Sequence, residues 1–110
     1  MYTTKLNVIT DAYFGAVKKG LIEAGVPVFI FLSVDWSTTA KMLAPAVEAL
    51  QAECVGKMLF FELNPEENPD AVNHLKAYDF PTSIVFKGGQ EFARFVGAVK
   101  KEELKAAIDK

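Results

Sequence analysis

The sequence predicts a single α/β domain over residues 1–110, with a central mixed sheet flanked by helices on both faces in the order β-α-β-α-β-α-β-β-α. Three observations predict it. Apolar runs rich in β-branched and aromatic residues alternate with stretches in which apolar residues recur at helical spacing. One run, residues 28–32 (Val-Phe-Ile-Phe-Leu), is apolar without alternation, the pattern of a strand covered on both sides. Two later runs flank Gly88-Gly89, a pair that supplies the positive φ angles of a tight antiparallel turn. Parallel crossovers closed by a hairpin, with right-handed connections, leave few other arrangements.

Each element has its own signal. Residues 6–9 read as a short strand, and Thr10-Asp11 offers an N-cap to a helix whose Phe14, Val17, Leu21 and Ile22 share a face. Gly25 and Pro27 end that helix, and the central strand 28–32 follows. Ser37-Thr38-Thr39 carry hydroxyls able to accept from free amides at the start of a second helix, with Leu43, Val47 and Leu50 on one face. Pro45 lies inside it and predicts a kink near Lys41, because proline has no amide hydrogen and its ring crowds that carbonyl. Gly56 closes the helix, and 58–63 is a dense apolar strand interrupted by Glu62. Asn68-Pro69 is an N-cap followed by proline at the first helical position, opening a short helix through Val72 and Leu75. Residues 83–86 and 91–96 form the hairpin, where strand alternation points Phe92 and Phe95 to opposite faces. A terminal helix follows with Leu104 and Ile108 one turn apart, and lysines near its end suit the helix dipole.

Composition narrows the function classes. With 51% apolar residues in 110, the chain can build a core of its own. Twelve basic residues against fourteen acidic give a net charge of −2, so there is no basic field to hold a phosphate backbone, and nucleic acid is not an expected partner. The longest uncharged apolar stretch, 24–34, is well short of the ~20 residues that span a bilayer, and no membrane partner is expected. The N-terminal residues show no basic region leading into an apolar one, so the expected compartment is the cytoplasm. A lone Cys54 can neither close an internal disulfide nor build a multi-thiolate metal site, and no metal or cofactor is expected.

The stretch Asp35-Trp36-Ser37-Thr38-Thr39-Ala40-Lys41-Met42-Leu43-Ala44-Pro45 resembles the thioredoxin family, whose members read Trp-Cys-Gly-Pro-Cys-Lys-Met and then apolar-Ala-Pro. Phe80-Pro81-Thr82 is similar to the family's cis-proline turn, and Val96-Gly97-Ala98 to the glycine segment beside it. The resemblance covers nearly the whole chain and implies a thioredoxin fold. The departures fall on chemistry. Ser37 and Ala40 stand where the resemblance places the two redox cysteines, Phe31 where the family usually buries an aspartate, and Glu62 where a lysine commonly accompanies it. Because the proton-moving positions differ as well as the cysteines, natural divergence explains the sequence better than an engineered knockout.

Disulfide exchange begins with a thiolate attacking sulfur. Serine is far less acidic than a thiol, and Ala40 supplies no resolving group, so catalytic residues of that kind are absent. What the resemblance still implies is a groove for an extended peptide made by Trp36, Pro65, Phe80, Pro81, Gly97 and Ala98. A cis Pro81 would turn the Phe80 amide and carbonyl outward to pair with an incoming strand, Trp36 would supply a flat apolar wall, and Gly97 would admit a second backbone. The expected function is non-covalent binding of a protein or peptide. The alternative is a thioredoxin-type disulfide oxidoreductase by family whose cysteines at 37 and 40 were replaced by divergence or engineering. A third class is an adaptor that uses a sheet edge or the Phe92/Phe95 hairpin.

Plainer readings compete at each position. Trp36 can serve packing alone. Ser37 reads as a helix cap, since a hydrolytic serine needs a base and the one histidine, His74, belongs to another helix. Cys54 reads as a small packing residue or an exposed thiol, and His74 as solvent-facing. Glu66, Glu67 and Asp70 lie around a helix start, where negative charge offsets the dipole, so a metal loop is not needed to explain them. Glu62 in an apolar strand must reach water or a partner, or its pKa rises.

Overall fold

The computed structural model describes residues 6–110 and contains a five-stranded mixed sheet in the order β1-β3-β2-β4-β5. The strands are β1 (Asn7–Val8), β2 (Val28–Leu32), β3 (Leu59–Leu63), β4 (Thr82–Lys87) and β5 (Gln90–Val96), and the helices are α1 (Asp11–Val17), α2 (Thr38–Glu53), α3 (Pro69–Leu75) and α4 (Lys101–Asp109). β1, β3 and β2 are parallel, while β4 runs antiparallel to both β2 and β5. The thioredoxin fold and its element order are those the sequence predicts.

β2 shows why an unbroken apolar run belongs in the middle. All five residues are buried, and alternation divides them between two cores. Phe29 and Phe31 pack with Leu43, Val47, Leu50 and Leu104 beneath α2 and α4. Val28, Ile30 and Leu32 face Phe14, Ile22, Ala71 and Leu75 beneath α1 and α3. Full burial of one such side chain stabilises by about 1.5–3 kcal/mol, and the Phe29 ring also stacks on Phe60 at 4.8 Å.

Several local expectations are overruled. The pairing of residues 6–9 reduces to Asn7–Val8, with Ile9 N–H still donating to the Glu62 carbonyl. Thr10 makes no side-chain cap, and neither does Asn68 at its own helix. The caps are exchanged. Asn68 Oδ1 accepts from Asp11 N–H at 2.8 Å, and the Asp11 carboxylate accepts from Asp70 N–H at 3.2 Å and Ala71 N–H at 2.9 Å. Each of the two helices is thus started by a side chain from the other. α1 runs on into a π-helical turn over Lys18–Ile22, which the sequence does not announce, and which leaves Ile22 in the same core as Phe14.

α2 holds Pro45 inside it and runs on to Glu53, as the sequence predicts. Lys41 and Pro45 both lie on the exposed side, where a carbonyl without an amide partner opens onto water. The hairpin turns on Gly88 (φ +64°) and Gly89 (φ +86°). A bulge in β5 then sets Ala93 opposite Val85 but Glu91 opposite Phe86, so Phe92 is an extra residue. This overturns the expected split of Phe92 and Phe95, because the added residue resets the alternation. Both line one depression against α4 with Ala106 and Ala107. The carbonyl end of α4 is not served by its own lysines but by Lys87 of β4, whose Nζ donates to the carbonyls of Ala107 and Ile108. Among the described residues no helix is long and apolar enough to cross a membrane.

Candidate functional site around Trp36

Leu63, Leu32, Thr82 and Val96 form one row across the sheet, since Leu32 is in register with Leu63 and Thr82, and Thr82 with Val96. Four connections leave from that row, residues 33–37, 64–68, 76–81 and 97–100, and they carry every position expected in the groove. The sheet order therefore gathers residues that are far apart in sequence at one end of the molecule.

Trp36 is the chain's one tryptophan and is 68% exposed. It is nonetheless oriented, because its Nε1–H donates to Glu66 Oε2 at 2.9 Å. Glu66 is held in turn by its own amide, which donates to Asn64 Oδ1 at 3.0 Å. Glu66 therefore serves the indole; the carboxylate that accepts amides at the start of α3 is Asp11, with Asp70 in the first turn. The sequence showed the acidic residues but not this pairing, because the two residues belong to different loops.

Ser37 is buried, and its Oγ accepts from Ala40 N–H at 3.1 Å. The two positions that match redox cysteines are thus bonded to each other as a helix cap. His74 is exposed on α3, edge-on to Phe14 at 5.3 Å, on the opposite face of the sheet from α2, and cannot act as a base for Ser37. Phe31 is fully buried, and beside it in register Ser83 has a buried hydroxyl with no hydrogen-bond partner among the described residues. Glu62 is half-buried. Cys54 is buried at the far end of α2, where burial pushes its thiol pKa up, helped by the charges of Asp109 and Glu53.

The remaining groove positions differ in what they present. The Phe80–Pro81 bond is cis, and the Pro81 side chain is buried while its carbonyl accepts from Gly97 N–H at 2.7 Å. Among the described residues the Phe80 amide and carbonyl take part in no hydrogen bond. The Phe80 ring packs partly against the α1/α3 core, and Pro65 is buried, so neither forms much of an outer wall. Ala98 is exposed. Gly97 has φ +78°, which favours glycine, and a Cβ built there would meet nothing within 4 Å, so the space in front of it is open. The accessible surface is therefore the indole of Trp36, the free backbone of Phe80, and the open ground before Gly97 and Ala98. Among the described residues no three His, Cys, Asp or Glu side chains are grouped to hold a metal ion.

A family model described as thioredoxin matches residues 6–110. The chain is 36% identical over 102 residues to a thioredoxin of Staphylococcus aureus, covering 93% of each. It is 31% identical over 102 residues to a thioredoxin of Synechocystis sp., covering 93% of this chain and 92% of that one. It is 32% identical over 90 residues to the chloroplastic thioredoxin M4 of Arabidopsis thaliana, of which it spans about half the length, 47%, while 82% of this chain is covered. Among solved structures, a chain from work on "the thiol resolving mechanism in yeast mitochondrial 1-Cys peroxiredoxin via glutathione/thioredoxin systems" superposes with a TM-score of 0.82. It covers 96% of this chain and 94% of its own at 20% identity, which speaks to the fold.

Proposed function

Because the chain belongs to the thioredoxin family yet carries Ser37 and Ala40 where its reactive cysteines are expected, we propose that it is a redox-inactive member that binds a protein or extended peptide without covalent chemistry. Exchange needs one sulfur to attack and a second to resolve the mixed disulfide. Neither position holds sulfur, and the Ser37 hydroxyl already accepts the Ala40 amide. Binding needs only surface. A single observation carries the reading: a large aromatic ring is left mostly in water and yet fixed in orientation by Glu66, beside a backbone segment at Phe80 with a free amide and carbonyl. An amphipathic ring beside an unpaired backbone segment suits recognition by strand addition.

Two measurements test this. In a disulfide-reduction assay the chain should turn over no faster than the free dithiol supplied; catalytic turnover would overturn the reading. Calorimetric titration with extended apolar peptides should give heat that Trp36→Ala and Gly97→Asp both abolish, with folding checked by circular dichroism. Binding that survives both substitutions would move the working surface elsewhere.

A further inference from the structure

We infer that the face around Trp36 selects an extended segment bearing lysine or arginine on either side of an apolar residue. This rests on the binding reading above and narrows its partner. The four connections that leave the row Leu63-Leu32-Thr82-Val96 carry Asp35, Glu66, Glu67 and Asp79, all exposed. Among the described residues none of the four is in an ion pair. Asp35 precedes Trp36, Glu66 holds the indole from one side with Glu67 next to it, and Asp79 precedes the free backbone of Phe80. The indole and the Phe80 backbone therefore each have a carboxylate beside them, while the connection that carries Gly97 and Ala98 has none.

Against these four carboxylates the four connections carry two cations, Lys76 and Lys100. Lys41 and Lys100 flank this end, at the first turn of α2 and the start of α4. Lys76 is exposed at the start of the third connection, and its carbonyl accepts from Arg94. At the opposite row, Val28-Leu59-Phe86, the chain places Lys57 and Lys87, and the π turn that carries Lys18 and Lys19 ends against Gly89 of that same hairpin turn. Those lysines share their end with carboxylates, Glu23 paired with Lys18 and Glu91 in register with Phe86 and paired with Arg94, whereas the four carboxylates near the indole and the Phe80 backbone are in no ion pair among the described residues. Charges on the rim of an apolar contact steer approach and exclude like-charged partners, while the apolar centre supplies most of the attraction. A strand laid along Phe80 would put its central apolar side chain against Trp36 and its neighbouring basic side chains within reach of Glu67, Asp35 and Asp79.

Trp36 is the natural reporter, since any emission change on titration comes from this site. Three short capped peptides share a Val-Leu-Val centre and are flanked by lysine, glutamine or glutamate. The lysine peptide should bind about tenfold more tightly than the glutamine peptide at low salt, and the advantage should shrink to about twofold near 1 M salt, where the screening length is about 3 Å. The glutamate peptide should bind most weakly. The variant Asp35→Asn/Glu67→Gln/Asp79→Asn changes exposed side chains only and leaves Glu66 on the indole; it should bind lysine and glutamine peptides alike. Equal affinity of the unaltered chain for all three peptides overturns charge selection and leaves the binding reading standing. No emission change and no calorimetric heat with any peptide overturns both. Emission and sedimentation that shift together with protein concentration alone mean that a second copy covers Trp36, which also overturns the inference.

Discussion

Replacing Asp11 or Asn68 by alanine tests the exchanged caps, and the two substitutions should not cost the same. Asp11→Ala removes the acceptors of Asp70 N–H and Ala71 N–H but keeps its own amide on Asn68. The loss is that of one N-cap, about 1 kcal/mol. Asn68 is buried, and its amide also donates to the Asn64 carbonyl at 2.8 Å, so Asn68→Ala strands a donor at Asp11 and an acceptor at Asn64. Leaving groups unpaired in a partly buried place raises the cost to about 2 kcal/mol. In a domain of this size those figures correspond to drops in Tm of about 4 and 8 °C. The two sets of bonds are chemically separate, but both fix the same approach of α1 to α3, so the double variant should lose about 0.5–1 kcal/mol less than the sum of the singles. Urea unfolding followed by far-ultraviolet circular dichroism, with Tm from a thermal scan, measures all three. An Asp11→Ala variant as stable as the unaltered chain, or one that costs more than Asn68→Ala, would refute the exchange.

Acid should weaken the contact of α2 with α4. Hydrogen bonds from Lys101, then from Lys105, hold the Glu53 carboxyl below its ordinary value of 4.5. A depressed folded-state pKa means that the contribution is present above the unfolded value and is lost as pH falls through the folded one. The stability difference between the unaltered chain and Glu53→Gln should therefore narrow as pH is taken below 4.5, and a difference that stays constant through that range would count against the pairing. At Cys54 burial raises the thiol pKa, so little thiolate is present at neutral pH, and alkylation should be at least about tenfold slower than in the urea-unfolded chain. Equal rates would mean that the thiol is open to solvent in the folded state.

Much of the fold was legible because its signals are short-range. The unbroken run at Val28–Leu32, the Gly88-Gly89 turn and the hydroxyl of Ser37 each act within a few residues, and each stands where the sequence predicts. The bulge at Phe92 was not legible, since alternation says which face a residue takes only while the pairing stays in register, and the partner strand decides where it slips. The caps of α1 and α3 misled for a similar reason. Thr10 and Asn68 are good cap residues by type, but the side chains that serve each helix come from across a gap of 57 residues or more. The residues expected in the groove come together at one end of the sheet, but how each is presented was not legible in the sequence: Pro65 and Pro81 are buried, while Glu66 is enlisted to hold Trp36.

The sequence alone determined the element order, the family and the absence of sulfur at residues 37 and 40, because these depend on residue type and on spacing along the chain. Only the tertiary structure decided that Trp36 is bound to Glu66 in the open, that the Phe80 backbone is left unpaired, and that four carboxylates gather beside them. Those facts arise where the strand ends of a twisted sheet bring distant loops together, and the charge and hydrogen bonding of neighbours set by strand order cannot be read from neighbours in sequence.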